Sequence, residues 1–369
     1  MKIIICGPAL PEKAELVIPG ASPAAAKYLR NMENAFNKKG YEVKMFSYIT
    51  APLSERAKEI LAMEKDNNVY ISKGDNVIVS LQKFRKKIKA EITEDDIVLF
   101  YNICYSSWGL LDYVKRIGAK AMLILADHTE SDECQGCIRK IMTKVDERNL
   151  KKFDNAIVLS ENADRILKRK CKTLLLEGGL DLSVFSSYHE PNWKSKKIIL
   201  YSGMLSKVTG VNLLIDAFNS KRFDNCELWI TGKGELEESV IQASMNNKNI
   251  IFKGFVSNEE FYRILNQVDI VVNPRNMNFT QNANNFPSKI LEYLASGRII
   301  LSTQFPGYYR FEKNITFCDS NAKDIAQKLA ELLDLEKDVI TERFYSNRKF
   351  SENFSWLEQV ERIIEFIGG

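Results

Sequence analysis

The chain lacks several features, and each absence excludes a class of protein. Among its 369 residues, no apolar run approaches the roughly 18–20 residues that a membrane-spanning helix needs. The opening apolar stretch is too short for a signal peptide and breaks at Gly7-Pro8, so it is better interpreted as a buried first strand. With 45% apolar and 27% charged residues, the composition is that of a globular protein, neither disordered nor fibrous.

Cysteine and glycine patterns exclude further classes. Seven cysteines, an odd number without regular spacing, indicate a reducing cytoplasm rather than a disulfide framework. Cys134 and Cys137 form a lone CxxC pair, which is either incidental or a metal or redox site; no two further ligands lie nearby, and no metal is expected. No G-x-G-x-x-G follows the first strand, which disfavours a dehydrogenase.

Charge gives a weaker indication. A net charge of +4 is small for this length, and no nucleic-acid partner is expected. Basic runs occupy residues 83–91 and 165–172. Each is either a solvated helix face or a patch for anionic lipid, which would place the protein peripherally on the inner face of the cell membrane.

Short β-branched runs alternate with amphipathic segments, which is typical of parallel sheets with crossover helices. Predicted strands are 2–6, 41–48, 96–102, 120–126, 155–160, 173–179, 197–203, 227–232, 249–255, 268–274 and 298–303. Helices are predicted from Pro23 with Ser22 as N-cap, from Val211, Glu235 and Glu259, and from Pro287. Ser257 and Glu260 form a predicted capping box.

The pattern restarts after a polar stretch, which predicts two domains. Expected boundaries are 1–186 for an N-terminal domain, 187–196 for a linker, 197–350 for a C-terminal domain and 351–369 for a helix that packs back on the N-terminal domain. The expected fold class is α/β, with two Rossmann-like doubly wound domains facing each other across a cleft. Open parallel sheets bind ligands beyond the carboxyl ends of their strands, so functional residues should lie in those loops.

Three loops of the second half carry candidate binding residues. The loop "SGMLSKVTG" combines Gly203, which permits close backbone approach, with the cation Lys207. A plain connection with an exposed lysine is the alternative. The next loop, "TGKGE", is a weak signal with Lys233 between two glycines. Arg275 stands where a strand ends and an asparagine-rich loop begins.

The stretch "NNFPSKILEYLASG" predicts a helix with a poor cap. If Pro287 is the first helical residue, the cap position falls on Phe286, which cannot accept hydrogen bonds. The amides of Ser288, Lys289 and Ile290 would then be available to an anion, beside the charge of Lys289.

Glu292 interrupts the apolar stripe of this helix. A carboxylate at this place can accept hydrogen bonds from a ribose diol. The alternative is structural: Asn284 or Asn285 caps the helix, and Lys289 pairs with Glu292 across three residues.

Four blocks of the second half carry a resemblance to a known family: "YSGMLSKVTGVNLLIDAF", "LWITGKGE", "IIFKGFVSNEEFYRILNQVDIVVNPR" and "FPSKILEYLASGRIILST". In order and spacing they resemble the donor-binding domain of retaining glycosyltransferases of family 4, which have the GT-B-type fold. The first half resembles that family more loosely, through "FDNAIVLSENADRILKRK" and "LLLEGGLDLSVF". The variant "NPR…FPSK…EYLASG" resembles the branch that builds bacterial surface polysaccharides.

The resemblance assigns roles only where residues match. Glu292 matches the second glutamate of the family's E-x7-E motif, which binds donor ribose hydroxyls. Residues 286–289 match the loop and helix start that hold the diphosphate, and they include Phe286, Pro287 and Ser288. Phe255 and Val256 match the segment whose backbone is expected to contact the nucleobase.

The chain departs from that family at three positions. Asn284 replaces the first glutamate, so the group expected to contact the donor sugar is neutral. Met204 and Thr209 replace the usual diphosphate-binding arginine and lysine. Lys207, Arg275 and Lys289 are the available substitutes, with Arg275 and Lys289 favoured.

The stretch "LADHTESDE" in the first half puts His128 at the carboxyl end of a predicted strand. His128 is one of 2 histidines and is the candidate to meet the sugar or the acceptor hydroxyl. A structural or solvent-facing histidine is the alternative.

The resemblance implies transfer of a sugar from a nucleoside diphosphate donor, a UDP-sugar first, to a lipid-linked or glycan acceptor with retention. No cofactor is expected beyond this donor, and its leaving group can be stabilised by cations and helix amides. A non-catalytic partner or chaperone subunit of an active transferase is a second hypothesis, supported by the three departures. A sugar-nucleotide epimerase of similar architecture is a third.

Overall fold

The computed structural model describes residues 1–15, 17–18, 22–49, 53–63, 69–73, 76–126, 136–161, 167, 171–191, 193, 196–221, 223, 225–279, 282 and 285–368. The chain divides into two compact units. Unit 1 comprises residues 1–159, 163–179 and 356–369, and unit 2 comprises residues 160–162 and 180–355. The fold is α/β in both units, as the alternation of the sequence predicts.

Unit 1 contains a seven-stranded parallel sheet in the order β3-β2-β1-β4-β5-β6-β7. Its strands are β1 (Lys2–Cys6), β2 (Glu42–Ile49), β3 (Val69–Lys73), β4 (Ile97–Tyr101), β5 (Lys120–Leu125), β6 (Asn155–Val158) and β7 (Lys172–Leu175). Its first helices are α1 (Glu12–Glu15), α2 (Pro23–Lys38), α3 (Glu55–Met63), α4 (Val77–Glu91), α5 (Leu110–Arg116) and α6 (Cys137–Leu150).

Unit 2 contains a six-stranded parallel sheet in the order β10-β9-β8-β11-β12-β13. Its strands are β8 (Lys197–Ser202), β9 (Cys226–Thr231), β10 (Ile250–Phe252), β11 (Ile270–Asn273), β12 (Ile299–Thr303) and β13 (Thr316–Cys318). Its helices are α7 (Val211–Ser220), α8 (Glu237–Asn246), α9 (Asn258–Leu265), α10 (Lys289–Ser296), α11 (Ala322–Leu333) and α12 (Lys337–Ser351). This strand order is that of a Rossmann sheet.

Local signals placed several helix starts correctly. Ser22 accepts a hydrogen bond from the Ala25 amide at 3.4 Å, as the N-cap of α2 should. Ser257 caps α9 by accepting from the Glu260 amide at 3.2 Å. The sequence pattern did not predict β3 or β13, which are edge strands of 5 and 3 residues with one neighbour each.

The two faces of the unit 1 sheet are covered by different helices. Side chains alternate along each strand, so Ile3 and Ile5 belong to one core cluster and Ile4 to another. Helices α4, α5 and α6 cover the Ile4 face. Helix α2 covers the opposite face together with the last helix of the chain, α13 (Trp356–Gly368).

The chain enters unit 2 at Leu180, within the segment predicted as the end of the first domain. The Leu180 amide donates to the Phe354 carbonyl at 2.7 Å, and Phe185 and Tyr188 are buried in a core cluster of unit 2. The predicted linker, 187–196, therefore falls inside unit 2. The stretch is polar overall, so the sequence did not indicate that Phe185, just before it, and Tyr188, within it, are buried in unit 2.

Trp356 attaches α13 to unit 1. Its ring meets the Tyr28 ring edge-on at 4.9 Å between centroids, and it covers Gly179, where a Cβ atom would lie 2.3 Å from the indole. Trp356 is 6% exposed, whereas its neighbour Leu357 is 41% exposed. Trp356 thus packs this terminal helix against α2 and against the segment that follows β7.

We expect Trp356→Ala to lower the free energy of unfolding by roughly 3–5 kcal/mol, because the large buried ring leaves a cavity under α13. Leu357→Ala is the matched control and should change it by less than about 0.5 kcal/mol. Urea unfolding followed by circular dichroism gives both values. Equal effects of the two substitutions would show that Trp356 does not anchor the helix.

Candidate functional site

Three loops of unit 2 are joined through their backbones beyond the carboxyl ends of β8, β9 and β10. The Leu205 amide donates to the Lys233 carbonyl at 3.0 Å, and the Leu236 amide donates back to Leu205 at 2.9 Å. The Gly232 amide donates to the Gly254 carbonyl at 2.9 Å. The strand ends are therefore held together as one surface, at the edge where an open parallel sheet binds ligands.

A pocket of about 300 Å³ opens on this surface. The loops after β8 and β9 supply residues 202–204 and 231–233 to its lining. The segment after β10 and the starts of α9 and α10 supply Phe255, Val256, Asn258, Phe261 and Lys289. The volume is at the lower end of the range for small-molecule sites.

Four of the predicted donor-binding residues line this pocket: Gly203, Phe255, Val256 and Lys289. They come from three different segments, so the tertiary structure brings together what the sequence could only propose separately. Phe255 is 68% exposed although it is a large aromatic residue. An exposed aromatic face beside polar groups is typical of a surface on which a flat ring can stack.

Lys233 is a pocket residue that sequence reasoning did not include among the site residues. Its only signal was the pair of flanking glycines. The Lys233 Nζ atom lies 4.4 Å from the centre of the Phe255 ring, and the Lys289 Nζ atom lies 4.0 Å from the centre of the Phe261 ring. Two ammonium groups, each resting on a phenylalanine, make the pocket suitable for an anion.

The start of α10 differs in detail from the prediction. The helix begins at Lys289, two positions after Pro287, and no side chain caps it. The Ile290 amide donates to the Pro287 carbonyl at 2.9 Å, so the prediction that it is available was wrong. A tight first turn satisfies it by a bond to the third residue before it. The Ser288 amide has no acceptor among the described residues.

Glu292 is tied to two neighbours. The Tyr262 hydroxyl donates to its Oε1 at 2.9 Å, and the Lys289 Nζ atom lies 3.9 Å from its Oε2. The pairing of Lys289 with Glu292, which the sequence left as an alternative, is therefore present. Burial and the Glu292 charge raise the pKa of Tyr262, so its phenol stays protonated and remains a donor. Glu292 is held next to a residue of the pocket wall.

Arg275 is hydrogen-bonded to the loop that leads to α10. Its Nη1 donates to the Asn285 carbonyl at 3.0 Å, and its own carbonyl accepts from the Ser320 hydroxyl at 3.2 Å. Burial lowers the pKa of its guanidinium. Arg275 is not among the residues that line the pocket, so its observed role is to hold the loop.

Phe286 and Pro287 fix the same loop by packing. The Phe286 ring meets the Phe305 ring edge-on at 5.3 Å and lies 5.7 Å from the Phe311 ring. Pro287 is buried. The Phe286 side chain thus belongs to an aromatic cluster of unit 2, and the cap position falls on Ser288, so the prediction that it falls on Phe286 was wrong.

The loop after β8 carries Lys207 away from the pocket. Lys207 is exposed, and its amide donates to Glu235 Oε1 at 3.2 Å. The Met204 carbonyl accepts from the hydroxyls of Tyr201 and Thr209, both at 2.6 Å. Burial raises the pKa of Tyr201 to about 12, so this donor stays protonated at neutral pH. Thr209 therefore fixes the loop where the resembled family has a lysine.

Two predicted catalytic residues, His128 and Asn284, lie outside the described residues, as does Cys134 of the CxxC pair. Across the described ranges, His, Cys, Asp and Glu form no group of three or more that could hold a metal. Of the described helices, none is long and apolar enough to cross a membrane.

Comparison with known proteins gives one family match. Residues 186–352 match the family model "Glycosyl transferases group 1", and this stretch is most of unit 2 and contains the pocket. No curated protein sequence matches the chain.

Solved structures of glycosyltransferases share the fold. A glycosyltransferase from Rickettsia africae has a TM-score of 0.70 at 14% identity and covers 99% of this chain and 97% of its own. Sucrose-phosphate synthase from Thermosynechococcus elongatus has a TM-score of 0.69 at 16% identity, with 99% and 98% covered. Anabaena HepE, solved with UDP, has a TM-score of 0.69 at 13% identity, with 99% and 100% covered. The chain has the fold of these proteins, with two Rossmann-like units.

We expect Gly232→Ala to displace the loop after β9, because a Cβ atom there would lie 1.8 Å from the Gly203 carbonyl oxygen. Gly232 also has a φ of +143°, which disfavours any side chain. The substitution should cost roughly 2–4 kcal/mol of stability. Gly254→Ala is the control: it has a φ of +71° but nothing within 4 Å, so only about 1 kcal/mol is at stake. Thermal unfolding measures both, and equal losses would contradict the close contact.

Proposed function

We propose that the protein is a glycosyltransferase that moves a sugar from a nucleoside diphosphate donor to a lipid-linked or glycan acceptor. The observation that carries the proposal is the pocket at the strand ends of unit 2, with Lys233 and Lys289 in its wall, inside the stretch that matches the family model. A nucleoside diphosphate has the two parts that this pocket suits, a flat base and a doubly charged linker.

Each part of the donor has a proposed contact. The base lies against Phe255 and Val256, and the ribose hydroxyls donate to Glu292, which Tyr262 holds in place. The diphosphate meets the ammonium groups of Lys233 and Lys289. We take a UDP-sugar as the first candidate donor, since UDP is bound in the HepE structure.

The transfer needs a stabilised leaving group rather than a covalent intermediate. The bond between the anomeric carbon and the diphosphate oxygen breaks, and a bond from the same face of the sugar to the acceptor oxygen forms. The acceptor proton passes to the leaving phosphate oxygen, and the configuration is retained. Lys233, Lys289 and the Ser288 amide are the groups proposed to neutralise the developing charge. Asn284 is proposed to contact the donor sugar, and His128 the sugar or the acceptor hydroxyl.

The finer assignments belong to the same proposal. Unit 1 takes the acceptor and unit 2 the donor. The enzyme is placed in family 4 of the retaining glycosyltransferases, in the branch that makes cell-surface polysaccharides, and works peripherally on the inner face of the cytoplasmic membrane. The sequence blocks named above support these assignments.

The second candidate is a non-catalytic partner subunit of an active transferase. It is favoured by one observation: Met204 and Thr209 occupy the positions where the resembled family has diphosphate-binding cations, and Thr209 is committed to the Met204 carbonyl. Lys233 and Lys289 argue for the enzyme, because a protein that no longer binds nucleotide has no need of two cations in one pocket.

Calorimetric titration with UDP and GDP separates the two candidates. We expect one of them to bind, and Lys233→Met or Lys289→Met to weaken that binding by roughly tenfold or more, because each removes a charged donor to phosphate. Lys253→Met is the matched control, since the Lys253 Nζ atom also rests on an aromatic ring, that of Trp229 at 3.6 Å, but outside the pocket. Binding of neither nucleotide would favour the partner subunit.

Glu292→Ala should weaken binding of the ribonucleotide by roughly tenfold and should leave binding of the 2′,3′-dideoxynucleotide nearly unchanged, because that analogue lacks both hydroxyls that are proposed to donate to Glu292. Tyr262→Phe should have a smaller effect in the same direction. Glu260→Ala is the control, since Glu260 is on α9 and pairs with the exposed Arg263. An equal loss of affinity for both nucleotides after Glu292→Ala would show that Glu292 does not contact the ribose hydroxyls.

A further inference from the structure

Helix α4 in unit 1 has an exposed stripe that begins aliphatic and continues basic. Ile78 is 68% exposed and Val79 is 45% exposed in its first turn. One and two turns beyond Val79, on its side of the helix, lie the exposed residues Lys83 and Lys86. The opposite side of the helix is buried in the core through Phe84. Aliphatic side chains in the first turn therefore face solvent although the helix has an apolar side of its own.

Helix α6 repeats this arrangement. Ile138 is 77% exposed and Ile141 is 62% exposed, and the exposed residues Lys144 and Arg148 follow at helical spacing. Single exposed aliphatic residues are ordinary on protein surfaces. Two helices with the same aliphatic-then-basic stripe indicate a shared surface.

The two stripes lie on one side of unit 1 and start at one edge. Both helices contribute to the same core cluster, so they cover the same face of the sheet. Each connects parallel strands, and each therefore starts at the edge where strands end. Residues 104–108 join them: Arg85 Nη2 donates to the Tyr105 carbonyl at 2.6 Å, and Trp108 Nε1 donates to Asp146 Oδ1 at 2.6 Å.

We propose that this surface docks unit 1 on an anionic lipid bilayer. We call the exposed aliphatic and basic residues of α4 and α6 the basic aliphatic surface. They are Ile78, Val79, Lys83, Lys86, Ile138, Ile141, Lys144 and Arg148. The aliphatic side chains enter the boundary between headgroups and acyl chains, and the basic side chains meet the lipid phosphates. The inference rests on the membrane location within the proposed function and names the surface responsible. It does not use the pocket of unit 2, so nucleotide binding and membrane binding can fail separately.

Charge decides between a bilayer and a second copy of the chain. In a symmetric dimer through this surface, the basic residues of one copy would face those of the other, and the repulsion would oppose burial of the aliphatic residues. An anionic bilayer supplies the opposite charge and an apolar layer at once. An exposed apolar patch rimmed by basic groups fits such a layer.

Vesicle flotation tests the proposal with the full chain and without nucleotide. The protein should float with vesicles of phosphatidylcholine mixed with phosphatidylglycerol, should bind pure phosphatidylcholine far less, and should be released by salt. Lys83→Glu with Lys86→Glu should lower partitioning by roughly tenfold or more. The combined substitutions Ile78→Ser, Val79→Ser, Ile138→Ser and Ile141→Ser should lower it by a similar factor.

The matched controls lie in unit 2. Met245 is 71% exposed on α8, and Lys248 is exposed just after it, so Met245→Ser and Lys248→Glu make the same chemical changes elsewhere. All variants should keep the melting temperature of the wild type, because the changed side chains are exposed. Equal binding to neutral vesicles, absence of flotation, or unchanged binding of both variants would overturn the proposal. So would sedimentation showing a dimer of the wild type that the serine variant dissociates, since the surface would then be an interface between copies.

Discussion

The loops after β8 and β9 are joined backbone to backbone, and the pocket of unit 2 depends on that junction. Lys233 and Leu205 share a hydrogen bond at 3.0 Å, and Gly232 passes so close to Gly203 that no side chain fits between them. Because the strands are parallel, both loops leave the sheet at the same edge, and the junction holds them at a fixed separation. Backbone hydrogen bonds thus fix the loops that form the pocket wall, and these loops position the side chains that define its chemistry.

The junction also determines where the positive charge of the site lies. In the loop after β8, Lys207 is exposed and does not line the pocket. Thr209 donates a hydrogen bond to the Met204 carbonyl and so fixes the backbone of the loop. This loop therefore provides no cation to the pocket. The loop after β9 and the start of α10 provide Lys233 and Lys289 instead. Each ammonium group rests on a phenylalanine ring, which favours a defined position, and the Lys289 ammonium also lies 3.9 Å from the Glu292 carboxylate. In the proposed transfer, the positive charge that stabilises the leaving diphosphate would therefore come from other positions than in the resembled family.

Unit 1 carries a different kind of surface. Its sheet is covered on one face by α2 and α13, where Trp356 closes against Gly179, and on the other by helices whose outer stripes are aliphatic and basic. A lipid-linked acceptor is the substrate for which a membrane-docked first unit would be useful, since the acceptor stays in the bilayer while the donor is in solution. The docking surface and the donor pocket are formed by separate residues, so failure of the docking would overturn the proposed membrane location and leave the proposed transfer unaffected.

Local sequence signals were sufficient for the elements they govern. β-branched runs identified the central strands of both sheets, Ser22 and Ser257 identified two helix starts, and the lack of a side-chain cap on α10 was correctly expected, although its cap position is Ser288. These depend on backbone preferences and on side chains within a few residues of each other.

Contacts between distant segments decided the rest. The sequence alone could not tell Lys233 from Lys207 as a pocket lysine, because both lie in a glycine-containing loop that follows a strand. Only the tertiary structure places Lys233 in the pocket lining. Nor could the sequence show that Arg275 holds the Asn285 carbonyl or that the first turn of α10 satisfies the Ile290 amide. The sequence also did not indicate that unit 2 begins at Leu180, because that boundary is fixed by a hydrogen bond from the Leu180 amide to the carbonyl of Phe354, far along the chain. Sequence determined which segments form strands and helices; tertiary structure decided which of their side chains meet, because that depends on partners that no local pattern contains.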